Sequence, residues 1–98
     1  MTHPDIPSFG ATTRLRRSDD MLATEVAGEM VMMDPEKGLY FELDAIGTDI
    51  WRRLEAAVLM RDLVADLARD YQAPAAQVER DVLALLSHMA EHGLVTAC

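Results

Sequence analysis

His88 and His92 stand four residues apart in the run HMAEH. On a helix that spacing brings two imidazoles to one side, where they can share a metal ion. The run is not HExxH and shows no evident third ligand, so the pair reads as two solvent-facing histidines near a helix C-terminus, where positive charge is favoured. Cys98 is the single cysteine. A thiol nucleophile needs a base and an orienting partner, and Cys98 has neither at a recognisable spacing. Ser8, Ser18 and Ser87 fall in no activating motif, and there is no Gly-rich phosphate loop or Cys/His cluster. The expectation is a protein that is not an enzyme and carries no metal and no cofactor.

The charge balance narrows the partners. The 98 residues carry 9 Lys and Arg against 17 Asp and Glu, a net charge of −8. A nucleic-acid binder needs cations to neutralise phosphates, and here Lys37 is the single lysine, with Arg14, Arg16 and Arg17 in one small cluster. Half of the residues are hydrophobic (50%), so composition does not predict disorder. No apolar run is long enough for a transmembrane helix. The start MTHPDIPSFG lacks the basic and apolar regions of a secretory signal. With one cysteine no internal disulfide forms, and a cytoplasmic location is the default.

What remains to do work is the backbone, and which elements expose it. Residues 1–13, with Pro4, Pro7 and Gly10, read as a flexible lead-in, and 14–98 as one domain. Arg14–Arg17 has only a weak extended pattern. Met21–Val26 is the first clear strand, Ala27-Gly28-Glu29 a turn, and Met30–Met33 the second strand. Asp34-Pro35-Glu36-Lys37-Gly38 is a strong turn signal, and Leu39–Leu43 alternates as the third strand. Three strands on tight turns make an antiparallel meander that needs helices over one face. Met30, Met32 and Met33 cannot all point inward from one strand, so at least one faces solvent or a ligand.

From Asp44, a suitable cap, the period changes from 2 to 3.6. The first helix covers about Ala45–Leu54, with Ile46, Ile50, Trp51 and Leu54 on its apolar face. Gly47 costs it about 1 kcal/mol relative to Ala, which raises the question of a close neighbour. The second helix covers about Met60–Tyr71, with Met60, Leu63, Val64, Leu67 and Tyr71 inward and Asp62, Asp66 and Asp70 as a solvated stripe. The third covers about Ala75–His92 after Pro74, with Val78, Val82, Leu85, Leu86 and Met89 on one face. Gly93 ends it as a C-cap, and Leu94-Val95 packs back. The class is α+β: a three-stranded antiparallel sheet followed by a three-helix bundle, similar to a winged helix-turn-helix with its sheet first.

The last strand of such a meander has one free side, with N–H and C=O groups unpaired. One function that uses it is β-augmentation, in which an extended peptide adds as a further strand. Leu39–Leu43 carries one charge, Glu42, and no proline, so nothing blocks pairing. If the third helix runs alongside, edge and helix make a groove. The alternative is an edge covered by the N-terminal segment or by a dimer mate.

The segments GLYFELD, IGTDIWRRL, ERDV and GLV, in this order over about Leu22–Val95, resemble the PqqD-like peptide-recognition domain, the RiPP recognition element. The resemblance implies three antiparallel strands followed by a winged-helix-like bundle. It also implies binding of the leader of a ribosomally made precursor peptide, which pairs with the third strand against the third helix. Carried over by position, Leu39, Tyr40, Phe41, Glu42 and Leu43 supply the backbone ladder, and Val78, Asp81, Val82, Leu85 and Met89 the helix wall. The pattern GxYFxLxxxGxxIW is most similar to the freestanding leader-binding B1 component of lasso-peptide biosynthesis, which works beside a leader peptidase (B2-like) and an ATP-dependent macrolactam synthetase, the cyclase. The alternative within the family is a peptide chaperone for a radical-SAM modifying enzyme, as in pyrroloquinoline quinone (PQQ) biosynthesis. A monomer or weak dimer is expected, with no nucleic acid and no membrane as partner. The first strand is poorly delimited for the family, and Ala73 is a weak helix cap.

Overall fold

The computed structural model describes residues 9–98. In chain order the elements are β1 (Arg14–Arg17), β2 (Leu22–Val26), β3 (Glu29–Asp34), β4 (Leu39–Glu42), α1 (Ala45–Arg53), β5 (Val58–Leu59), α2 (Met60–Tyr71), α3 (Ala75–Glu91) and β6 (Val95–Ala97). The strands β2, β3 and β4 form the antiparallel meander, with β3 in the middle. The α+β class and the meander-then-helices order are those expected.

Local chemistry accounts for the meander. The link between β2 and β3 is Ala27-Gly28, both with positive φ (54° and 83°), as a two-residue hairpin turn that follows the strand twist requires. Between β3 and β4, Asp34 Oδ1 accepts from the amides of Glu36 and Lys37, and its carbonyl accepts from Gly38 N at 2.7 Å. Gly38 sits at φ 68°, which a side chain resists. Met32 points inward and is 1% exposed. Met33, one residue on, lies on the opposite face between Leu22 and Tyr40, so the methionines divide as the pleat demands.

Asp44 caps α1: its Oδ1 accepts from Gly47 N at 2.8 Å. The absence of a side chain at Gly47 now has a reason, since a Cβ there would stand 3.3 Å from both Asp44 Oδ1 and Leu43 Cβ. Thr48 locks α1 to the sheet. It is 1% exposed, accepts from Met30 N at 2.8 Å and donates to the Leu43 carbonyl at 3.2 Å. Helix α3 starts at Pro74, whose carbonyl accepts from Gln77 N and Val78 N, so Pro74 itself is the cap rather than Ala73. It ends in a Schellman motif, with Leu94 N bonded to Met89 O and Gly93 N to Ala90 O, and Gly93 at φ 74°.

Two expectations about faces fail. Ile46 is 54% exposed, because the inward face of α1 is Gly47, Thr48, Ile50 and Trp51. Tyr71 is also exposed, and its hydroxyl donates to Asp49 Oδ2 at 2.7 Å. A second sheet was not expected: β1 lies between β5 and β6, antiparallel to both. Strands of two to four residues are too short to show a period, and their pairing is long-range. Leu15 of β1 is fully buried, in one core with Ile50, Trp51, Leu54, Leu86, Met89 and Val95. Of the lead-in, residues 1–8 lie outside those described. From there Phe9 is buried, and the carbonyls of Ala11 and Thr13 accept from Arg61 N and Met60 N at the start of α2. Among the described residues no helix is long and apolar enough to cross a membrane.

Candidate functional site

β4 ends its sheet, with β3 on one side and no ladder partner on the other among the described residues. Which backbone groups face the free side follows from one bond. Leu43 N donates to Met30 O at 2.9 Å, and the register continues as Glu42 against Val31, Phe41 against Met32 and Tyr40 against Met33. In an antiparallel pair, hydrogen-bonded and non-bonded positions alternate. Leu39, Phe41 and Leu43 therefore direct their backbone to β3, while Tyr40 and Glu42 direct theirs outward.

The free edge opens on a cleft of about 450 Å³ lined by Tyr40, Phe41, Glu42, Leu43, Asp44 and Gly47, with Leu85, His88 and Met89 of α3, its C-cap His92, and Leu94 opposite. Leu43, Met89 and Leu94 are buried and form an apolar floor. His92 packs its ring on Phe41 at 5.2 Å between centroids, and on His88 at 4.9 Å. Strand edge and helix thus wall one groove, and the rings of Phe41 and His92 join the two walls.

A second cleft, of about 190 Å³, lies against the N-terminal half of α3. It is lined by Ile46, Ile50, Leu67, Tyr71, Ala73, Gln77, Val78, Asp81 and Val82. A charged network between α1 and α2 supports its Tyr71 wall. Arg53 binds Asp49 at 3.0 and 3.1 Å and Asp70 at 2.8 Å. The Arg53 hydrogen bonds, with help from Tyr71, hold the Asp49 carboxyl below its ordinary value despite partial burial. Arg53 also lowers Asp70, and these two carboxylates raise the guanidinium. The bond to Asp49 raises the Tyr71 phenol. These groups hold one another and tie α1 to the end of α2.

The residues singled out from sequence therefore divide. Tyr40, Phe41, Glu42, Leu43, Leu85 and Met89 meet at the larger cleft. Val78, Asp81 and Val82 border the smaller one, with Val82 5% exposed and largely core. Leu39, beside the turn, is half exposed and borders neither. Sequence reasoning missed Thr48, Gly47 and the two histidines as parts of this region. Thr48 sits three residues before Trp51 on the buried face, a position that hints at burial but not at the bond it makes. Chemically the arrangement offers an unpaired strand edge beside apolar depressions, which suits an extended chain with apolar side chains.

Residues 29–95 match the family described as coenzyme PQQ synthesis protein D (PqqD). Among solved structures, TbiB1 in complex with the TbiA(beta) leader peptide is 30% identical, with a TM-score of 0.74 over 82% of this chain and 93% of that one. A lasso peptide synthetase B1 complexed with the leader peptide is 24% identical, with a TM-score of 0.74 over 84% of this chain and 96% of that one. The PqqD truncation of Methylobacterium extorquens PqqCD, described as a functional and stand-alone RiPP recognition element, is 19% identical with a TM-score of 0.74, over 91% of this chain and 95% of that one. The last two likenesses concern the fold. No curated protein matches the chain. The family match runs from the first residue of β3 to the first of β6 and takes in both walls of the larger cleft, and by it the chain belongs to the PqqD family.

Proposed function

We propose that this chain binds, without catalysis, the leader region of a ribosomally synthesised precursor peptide, which adds to β4 as a further strand and lies against α3. The observation that carries this reading is the free edge of β4 opening on an apolar-floored cleft walled by a helix. The 30% identical TbiB1, solved with a leader peptide, supports the same partner here. Leu39–Leu43 form the edge in this reading. Leu85 and Met89 receive the side chains nearest that edge, and Val78, Asp81 and Val82 receive any residue that continues along α3.

The energetics assign separate tasks to edge and pockets. The two outward residues, Tyr40 and Glu42, offer about four ladder bonds, each worth roughly 0.5–1.5 kcal/mol net. Ordering each leader residue costs about 1–2 kcal/mol. Pairing therefore sets direction and register, and affinity comes from apolar side chains at about 1.5–3 kcal/mol each when buried.

In the finer reading the bound leader is delivered to a leader peptidase and a macrolactam synthetase, as for a lasso-peptide B1 component. Membership of the family described as coenzyme PQQ synthesis protein D leaves room for a second reading, in which the chain is a chaperone that presents its peptide to a radical-SAM enzyme. Both need the same first step. Fluorescence polarisation with the leader of a precursor gene adjacent to this one is the test. Saturable binding, at about micromolar Kd or tighter and lost on scrambling, is the expected result. A folded protein that ignores every neighbouring leader would leave a scaffold with the family fold.

A further inference from the structure

The end of α3 carries three metal-ligating side chains to which the leader-binding reading gives no role of their own. His88, Glu91 and His92 occupy positions i, i+3 and i+4, which share one side of a helix. One donor atom from each lies within 4.8 Å of the others. The two imidazoles meet edge to face at 4.9 Å and 79°, and Glu91 Oε2 is 3.8 Å from His88 Nδ1. The histidine pair alone lacked a third ligand. Glu91, inside the same HMAEH run, supplies it.

The geometry points to a binding site for a divalent transition-metal ion of the zinc class, held by one imidazole nitrogen each from His88 and His92 and one carboxylate oxygen from Glu91. Ligands at about 2.0–2.2 Å from a tetrahedral ion stand roughly 3.3–3.6 Å apart. The donors need to draw together by about 1 Å, which rotamer adjustment of exposed side chains provides. Two imidazoles and a carboxylate favour zinc, cobalt or nickel over calcium or magnesium, which prefer all-oxygen sets. The backbone favours a cation too, because the last carbonyls of a helix carry partial negative charge. The Schellman closure at Gly93 and Leu94 fixes the turn on which the ligands are mounted.

Three protein ligands leave a coordination position open. His88 and His92 also line the larger cleft, beside Tyr40, Phe41 and Glu42. An ion between them sits in the cleft wall, and its open position accepts water or a carboxylate, imidazole or thiolate from whatever occupies the cleft. His92, already packed on Phe41, ties the ion to the strand whose edge is free.

The test is a titration of the full-length protein with Co²⁺, read by its visible d–d absorption, followed by displacement with Zn²⁺ and by calorimetric stoichiometry. It uses no peptide, so its result does not depend on the leader-binding reading. One-to-one saturable binding, displaced by Zn²⁺, is expected. His88→Gln, His92→Gln and Glu91→Gln each weaken it by roughly tenfold or more, while His3→Gln and Cys98→Ser leave it unchanged. Circular dichroism accompanies each variant. His88 and Glu91 are exposed, so they carry the test even if the fold needs the His92 ring on Phe41. Absence of saturable binding below about 1 mM, full affinity in His88→Gln or Glu91→Gln, or loss of affinity in His3→Gln or Cys98→Ser would overturn the assignment.

Discussion

Replacing Glu42 by proline separates the two edges of β4. The Glu42 N–H points away from β3, since Leu43 bonds to Met30 and the ladder alternates from there. Proline at 42 therefore removes an outward donor and leaves the ladder to β3 intact. It also sets its ring Cδ where the amide hydrogen pointed, in the path of an incoming carbonyl. Proline is tolerated at a sheet edge when its missing N–H faces outward, and the extended bias it places on Phe41 suits a strand. The lost bond alone is worth about 0.5–1.5 kcal/mol, or roughly 2- to 12-fold in affinity. With the ring obstructing the neighbouring pair, we expect leader affinity to fall by at least about tenfold relative to Glu42→Ala, which controls for the carboxylate. Phe41→Pro is the contrasting case. It removes a donor that bonds β3, and it should unfold the meander rather than block binding selectively. Fluorescence polarisation read beside a thermal melt distinguishes the two. A folded Glu42→Pro protein that binds leader within about twofold of Glu42→Ala would refute augmentation at this edge.

Other perturbations follow from the packing. Thr48→Val keeps the shape of a buried side chain but orphans the Met30 amide and the Leu43 carbonyl, and should cost about 1–3 kcal/mol in urea unfolding; an unchanged midpoint would show that Thr48 is no clamp. Gly47→Ala should not deliver the roughly 1 kcal/mol that helix propensity promises, because the new Cβ meets the cap carboxylate and Leu43 at 3.3 Å; a gain of that full size would show that these neighbours yield freely. Asp49, held below its ordinary value chiefly by Arg53, stabilises the fold above the unfolded carboxylate range, and that stability is lost as pH falls through the lowered folded value. Asp49→Asn should therefore lose stability at neutral pH and show a shallower acid decline than the parent protein. Chemical unfolding across the acid range checks this, and parallel declines would remove Asp49 from the account.

Legibility in the sequence followed the range of the interaction. The Asp34-Pro35 turn, the Asp44 cap, the three helices and the Gly93 stop are written in residues close along the chain, and they stand where the sequence placed them. The second sheet is the opposite case. Its strands are too short for a pattern, and Leu15 earns its burial from partners near residues 58 and 97. On α1, the apolar count treated Ile46 as equal to Ile50, but only the direction of the sheet decides which face turns inward. The division of Val78, Asp81 and Val82 from Leu85 and Met89 depends on which other elements flank each half of α3, with Ile46, Leu67 and Tyr71 beside one and β4 beside the other, which no single helix encodes. The free edge of β4 was readable because a meander has two ends. Its alternation, with Tyr40 and Glu42 outward, needed one observed bond.

The second sheet also orders events in time. Hairpin closure at Ala27-Gly28 joins neighbours, whereas Leu15 and Ala97 come from opposite ends of the described chain. Loop closure over that distance costs about 3 kcal/mol more chain entropy, so the meander can nucleate early and the β1–β6 seam must close late. Contacts absent from the transition state govern the unfolding rate, and contacts present in it govern the folding rate. Weakening the seam should shorten the lifetime of the native protein while folding speed holds, and weakening the meander should do the reverse. The free edge of β4 thus belongs to the meander, the part able to form early, and its lifetime depends on the β1–β6 seam that joins segments distant along the chain.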